Sequence, residues 1–195
     1  MPDVPANSTQ PDSRADWRAW LETHHTRPQG VWLVSFKKAT GRQAFDYGAS
    51  VEEALCSGWV DSKPGEVDDE RSMLWFAPRK PRTGWSRPNK ERVGHLIAAG
   101  LMMPAGLAKI EAAKRDGSWT KLDSVEDLDV PPDLLTALTT LPDALARFTA
   151  FPRSVKRGIL EWILNAKREE TRAKRIAETA TLAARNERAN QWKPK

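Results

Sequence analysis

The sequence predicts an α+β protein, with a small mixed or antiparallel sheet and helices first and a helical C-terminal segment after it. Segments rich in β-branched and aromatic residues are concentrated in the first 80 of the 195 residues. From residue 87 onward, apolar residues recur at helical spacing. Nine tryptophans add bulky apolar area, so a hydrophobic content of 39% is sufficient for a core.

The first half of the chain is predicted to alternate between helices and strands. Ser13 with Asp16 three residues later has the spacing of a helix-opening cap. Gly58 is typical of a helix stop. The predicted elements are a helix over 13–23, a strand over 31–37, a helix over 47–57, and strands over 59–61 and 71–77 with a turn at Pro64-Gly65 and an acidic loop over 66–70.

The second half is predicted to be helical throughout. Glycines and prolines divide it, and Ser154 is the expected cap of the first of two longer helices near the end. The predicted helices cover 87–99, 104–116, two short segments opening at 131 and 142, then 154–167 and 169–188. The predicted organisation is a disordered tail over 1–11, an α+β domain over 12–125, a helical C-terminal segment over 126–188 packed on it, and a frayed tail over 189–195.

Composition argues against several classes of protein. No run of about 18 apolar residues occurs, and the first residues lack the order of a signal peptide, so no membrane association is predicted. A single cysteine, Cys56, suits a reducing cytoplasm, and its apolar neighbours favour a buried thiol over a nucleophile. The histidines lack zinc-site spacing, and no glycine-rich phosphate loop is present. The prediction is therefore a cytoplasmic protein without a metal or cofactor.

The candidate ligand-binding site combines aromatic planes, guanidinium groups and polar donors within 31 positions. Such a mixture suits a groove for a small anionic or polar ligand. The candidates are Trp59, Asp61, Arg79, Arg82, Trp85, Ser86 and Asn89. Simpler roles stay open for several of them: Asp61 could tie down a turn, Trp59 could fill the core, and Ser86 could cap a helix.

Two other functions remain as alternatives. Residues 151–195 carry a net charge of +7, and Arg168, Arg172 and Arg175 share one face of the predicted last helix. That face could bind nucleic-acid phosphates or could simply be solvated. An enzyme with Asp61 as general base is the weakest hypothesis, because no partner acid, nucleophile or metal accompanies it and no catalytic residue is assigned.

A set of short segments spread over about residues 14–188 carries a resemblance to a known family. These segments are Gly30-Val-Trp-Leu33, Lys37-Lys38, Glu53-Ala-Leu-Cys-Ser-Gly-Trp-Val-Asp61, Phe76-Ala-Pro-Arg79, Trp85-Ser86, Asn89, Gly100-Leu-Met-Met-Pro-Ala-Gly106, Lys156-Arg-Gly-Ile-Leu-Glu-Trp-Ile163, Ala166-Lys167, Thr171-Arg172 and Arg175-Ile176. In them the sequence resembles the YdeI/OmpD-associated or "bacteriocin-protection" proteins. The resemblance implies a role in stress or bacteriocin tolerance but no mechanism.

Overall fold

The computed structural model describes residues 4–191, which form two compact units that meet in sequence at Lys121 and Leu122. The predicted α+β class is confirmed: strands occur in the first unit, and the second is helical. The first unit contains β1 (Ser8–Thr9), α1 (Arg14–His24), β2 (Val31–Phe36), α2 (Tyr47–Cys56), β3 (Trp59–Glu66), β4 (Arg71–Pro78), α3 (Arg87–Ala98) and α4 (Pro104–Arg115). The second contains α5 (Asp123–Asp127), α6 (Pro132–Thr140), α7 (Ala144–Ala150), α8 (Arg153–Leu164) and α9 (Glu169–Ala183).

The sheet of the first unit is mixed, with strand order β1-β2-β4-β3. β1 runs parallel to β2, whereas β4 is antiparallel to both of its neighbours. The core face presents Val31 and Leu33 of β2 and Phe76 of β4, each nearly inaccessible to solvent. Trp17 of α1 and Trp59 of β3 fill the same core, and their indole N–H groups donate to the backbone carbonyls of Ser50 and His25. Backbone acceptors thus let tryptophan fill this core without leaving a buried donor unpaired.

Two predictions about this unit, a disordered N-terminal tail and a turn at Pro64-Gly65, are wrong because both segments contain a strand. The N-terminal tail was expected to be disordered through residue 11, but Ser8–Thr9 pairs with Trp32 and Leu33 as an edge strand. Residues 1–3 of that predicted tail lie outside the described residues. Pro64 and Gly65 do not form a turn. They lie inside β3, after a bulge between Asp61 and Pro64. β3 is at the edge of the sheet, where a proline without an N–H is tolerated.

Helix α4 lies unusually close to the end of α2. A Cβ at Gly106 would come within 2.3 Å of the carbonyl oxygen of Cys56, so only glycine permits this approach. The backbone N–H of Met103 donates to the same carbonyl at 3.1 Å. Gly58, at φ 76°, then reverses the chain into β3 as predicted. This packing fixes α4 beside the end of β4, where the candidate site lies.

The second unit has its own hydrophobic core. Its most buried side chains include Leu134, Leu138, Phe148, Ile159 and Ile163, contributed by α6, α7 and α8. The packing follows the apolar spacing in the sequence, with one face of each helix buried.

The ends of the helices in this unit differ from the prediction. α8 begins at Arg153 after Pro152, so Ser154 lies inside the helix and is not its cap. α9 ends at Ala183, before the predicted residue 188, and Asn186 adopts a left-handed conformation. Ala189, predicted to begin a frayed tail, is buried in this core. Residues 192–195 of that tail lie outside the described residues.

Candidate functional site

Arg79 is the most unusual side chain among the predicted site residues. It follows the last residue of β4 and is held by its backbone N–H, which donates to the carbonyl of Gly58 at 3.0 Å. The whole residue is only 6% exposed. Its guanidinium lies 3.8 Å from the centre of the Trp85 ring, a cation–π contact, and donates one hydrogen bond to the carbonyl of Gly84. Its Nε is buried and has no hydrogen-bond partner within residues 4–191.

The electrostatics of Arg79 reflect this burial. Burial lowers the pKa of Arg79 to about 10, and the negative charge of Asp61 partly offsets that decrease. The side chain is therefore still cationic at neutral pH. No carboxylate in the described chain forms a salt bridge with it, although buried charges are normally paired.

A small cavity of about 60 Å³ lies beside this guanidinium. Its walls come from the loop after β4 and from one side of α4. The lining residues are Arg79, Lys80, Pro81, Arg82, Thr83, Trp85, Lys109, Ala112, Ala113, Asp116 and Ser118. Four of these side chains are cationic, and Asp116 is the acidic one among them. The cavity therefore has the size and sign of charge for one small anionic group.

The loop that carries Arg82 is held by local hydrogen bonds. Arg82 has a φ of 60°, a conformation uncommon for residues other than glycine. Its backbone N–H donates to the carboxylate of Asp116 at 3.2 Å, and the hydroxyl of Thr83 donates to the carbonyl of Lys80 at 2.6 Å. Hydrogen bonds from Ser118 and from the Arg82 backbone lower the pKa of Asp116. The carboxylate of Asp116, the acidic group among the described lining residues, is thus already engaged by neighbouring N–H groups.

Asp61 lies outside that cavity and has a different partner. The phenol of Tyr47, at the start of α2, donates to its carboxylate at 2.9 Å. Burial, followed by the Asp61 hydrogen bond, raises the pKa of Tyr47, while the charge of Arg92 opposes the increase. Asp61, Tyr47 and Arg92 therefore form an electrostatically linked group, with Asp61 also acting on Arg79.

The remaining predicted residues are placed separately. Trp59 is a core side chain, 1% exposed, and does not line the cavity. Ser86 occupies the N-cap position of α3, but its side chain makes no capping hydrogen bond. The side-chain oxygen of Asn89 accepts from Arg92 at 3.1 Å. Of the seven candidates, the structure therefore brings Arg79, Arg82 and Trp85 together around one cavity.

Sequence reasoning missed the contribution of α4 to this cavity. Lys109, Ala112 and Asp116 lie on one face at i, i+3 and i+7, which is a local helical signal. Nothing in their spacing shows that this face lies beside residues 79–85, because the approach depends on the contact of Gly106 with α2. Tyr47 was also missed, because its hydrogen bond to Asp61 joins residues 14 positions apart in sequence.

The three arginines of the nucleic-acid alternative are not equivalent. Arg172 makes a bidentate pair with Asp133, at 2.7 and 2.9 Å. Arg175 lies over the ring of Trp162 and donates to its backbone carbonyl. Arg168 is exposed at the N-terminal end of α9. Two of the three guanidiniums are thus already engaged within the second unit.

Other chemistry is not assembled in the described residues. Cys56 is fully buried, and burial, with the nearby charge of Glu53, raises the pKa of its thiol, which opposes a nucleophilic role. Within residues 4–191, no three His, Cys, Asp or Glu side chains are grouped to hold a metal ion. None of the helices described is long and apolar enough to cross a membrane.

Fold and site together define a two-unit α+β protein with a buried arginine that has no carboxylate partner among residues 4–191 and lies at a small basic cavity. Residues 9–109, slightly more than half of the chain, match the family model described as Domain of unknown function (DUF8412), so the chain belongs to that family. Residues 127–186 match the model described as Bacteriocin-protection, YdeI or OmpD-Associated, which confirms the suspected relationship in the second unit. Searches of curated proteins and of solved structures gave no match.

Proposed function

We propose that this protein binds a small anionic ligand, or the anionic group of a larger polar one, at the cavity beside Arg79. The observation that carries the proposal is the buried guanidinium whose Nε has no partner among the described residues. A buried charge without a counterion lowers stability, and an anion seated in the cavity offsets that cost. The rigid fork of arginine suits a carboxylate or a phosphate group better than lysine does.

The size of the cavity limits what is bound there. At about 60 Å³ it is far below the 300–1,000 Å³ typical of drug-sized ligands. The anionic group enters, and any larger part of the ligand stays at the surface. Lys80, Arg82 and Lys109 then supply further positive charge around the entrance. We place this activity in the cytoplasm, and the description of the C-terminal family suggests a link to bacteriocin protection.

The test uses inorganic phosphate and acetate as probes at constant ionic strength. Wild-type protein should gain thermal stability with increasing phosphate or acetate, because a ligand that binds the native state stabilises it by mass action. Arg79→Met should remove this gain, and Arg79→Lys should keep part of it. Arg185→Met is the matched control, since Arg185 is an exposed arginine of the second unit.

Two results would contradict the proposal. One is equal stabilisation of the wild type and Arg79→Met by both probes, which would place binding elsewhere. The other is no stabilisation of wild type by either probe beyond that given by chloride at the same ionic strength.

A further inference from the structure

A second and larger cavity lies on the core face of the sheet, at the end where α2 begins. Its volume is about 230 Å³, nearly four times that of the Arg79 cavity. The lining residues are Leu33, Ser35, Gln43, Phe45, Asp46, Tyr47, Ser50, Pro64, Gly65, Ser72, Met73 and Leu74. No lysine or arginine of residues 4–191 lines it, so its chemistry differs from that of the anion site.

The shape of the cavity follows from the strand register. β2 and β4 pair Val31 with Phe76, Leu33 with Leu74, and Ser35 with Ser72, all on one face of the sheet. The first two pairs are apolar, and Val31, Leu33 and Phe76 belong to the buried core. The third pair is two serines, whose small side chains leave space beneath residues 43–47. The apolar face of the sheet thus continues into a cavity that the side chains of the described residues do not fill.

Apart from Gln43 and Tyr47, the polar side chains that line this cavity fall into two sets. The Asp46 carboxylate accepts from the backbone N–H of Ala49, and the Ser50 hydroxyl donates to the carbonyl of Tyr47. These groups are used in opening α2. The hydroxyls of Ser35 and Ser72 make no hydrogen bond to another residue within the described part of the chain, and the two residues are paired across the neighbouring strands. Two available hydroxyls in an apolar recess can orient one polar group of a ligand.

We propose that this cavity binds a small uncharged molecule of one or two rings that carries a single hydroxyl or amide group. Apolar walls from Leu33, Phe45 and Leu74 contact the rings. Ser35 and Ser72 hydrogen-bond the polar group. The Asp46 carboxylate disfavours an anion at the same place. A cavity of about 150 Å³ accommodates benzene, so 230 Å³ suits a molecule of about two fused rings.

The experiment compares 2-naphthol with naphthalene by titration calorimetry. Wild-type protein should bind both, with 2-naphthol about 5- to 10-fold tighter, as expected for one hydrogen bond in a partly buried site. The double variant Ser35→Ala/Ser72→Ala should bind both probes with nearly equal affinity. Ser72→Phe fills the cavity and should bind neither, whereas Ser62→Phe, at an exposed position of β3, should bind as wild type does. Circular dichroism confirms that each variant is folded.

The alternatives give distinct results. No binding of either probe to the wild type would overturn the proposal, as would an unchanged preference for 2-naphthol in the double alanine variant. Saturating inorganic phosphate should leave naphthol affinity unchanged, so this site is tested independently of the anion site. If Ser72→Phe does not fold, the double alanine variant, which removes only two hydroxyl groups, still decides the outcome.

Discussion

Replacing Arg79 by methionine tests whether this guanidinium is held in the fold for a ligand or for stability. Lowering the pKa of Arg79 from its ordinary value to about 10 corresponds to a cost of about 3 kcal/mol for the charged form in the folded protein. Methionine has a similar length and carries no charge, so it removes this cost. It also removes the hydrogen bond that the charged guanidinium donates to Gly84, about 1.5 kcal/mol, and the cation–π contact of this buried group with Trp85, about 2 kcal/mol. The gain and the losses are of similar size, so in the absence of anions Arg79→Met should be as stable as the wild type to within about 1 kcal/mol.

The assay is urea denaturation at pH 7 in a buffer without phosphate or carboxylate, monitored by tryptophan fluorescence. The folded pKa lies below that of the unfolded chain, so the unfolded state binds more protons above about pH 10. The free-energy cost of burying the charged guanidinium is therefore fully present below about pH 10 and decreases as the pH rises through that value. Relative to the wild type, Arg79→Met should therefore become less stable as the pH rises through about 10. A loss of 3 kcal/mol or more in Arg79→Met at pH 7 would refute the reasoning, because Arg79 would then be a structural support.

Three further predictions follow from the packing. Glu53→Gln should lower the free energy of unfolding by about 2–3 kcal/mol in urea denaturation, because Arg14 and Arg18 both pair with this buried carboxylate; a change below 0.5 kcal/mol would show that these pairs contribute little. Cys56 should react with a maleimide only as fast as the protein unfolds, measured by mass spectrometry, since its thiol is buried and its pKa is raised; rapid labelling under native conditions would contradict this. In thermal melts, Ile163→Ala should cost about 2–5 kcal/mol and more than Trp162→Ala, because Ile163 is 1% exposed and Trp162 is half-buried; the reverse order would contradict the packing of α8.

The sequence by itself determined the class of the fold and most of its elements. Periodicity and capping signals act over a few residues, so they locate helices directly. Ser13 caps α1 as predicted, and Gly58 ends α2 in a left-handed conformation. The same local rules failed where a long-range contact decides the outcome. Pro64 signals a turn in isolation, yet at a sheet edge it continues β3 because no partner needs its missing N–H.

The tertiary structure alone decided which candidate residues share a cavity. Density of aromatic and charged residues pointed to the segment from Trp59 to Asn89, but burial separated its members. Trp59 lies in the core, whereas Arg79 and Arg82 line one cavity with Lys109 of α4, a helix that follows later in the chain. The proximity of Lys109 to Arg79 and Arg82 depends on Gly106, which lets α4 lie against the end of α2. Composition can indicate that a segment carries binding chemistry, but the distance between two side chains far apart in sequence depends on how the helices and strands pack.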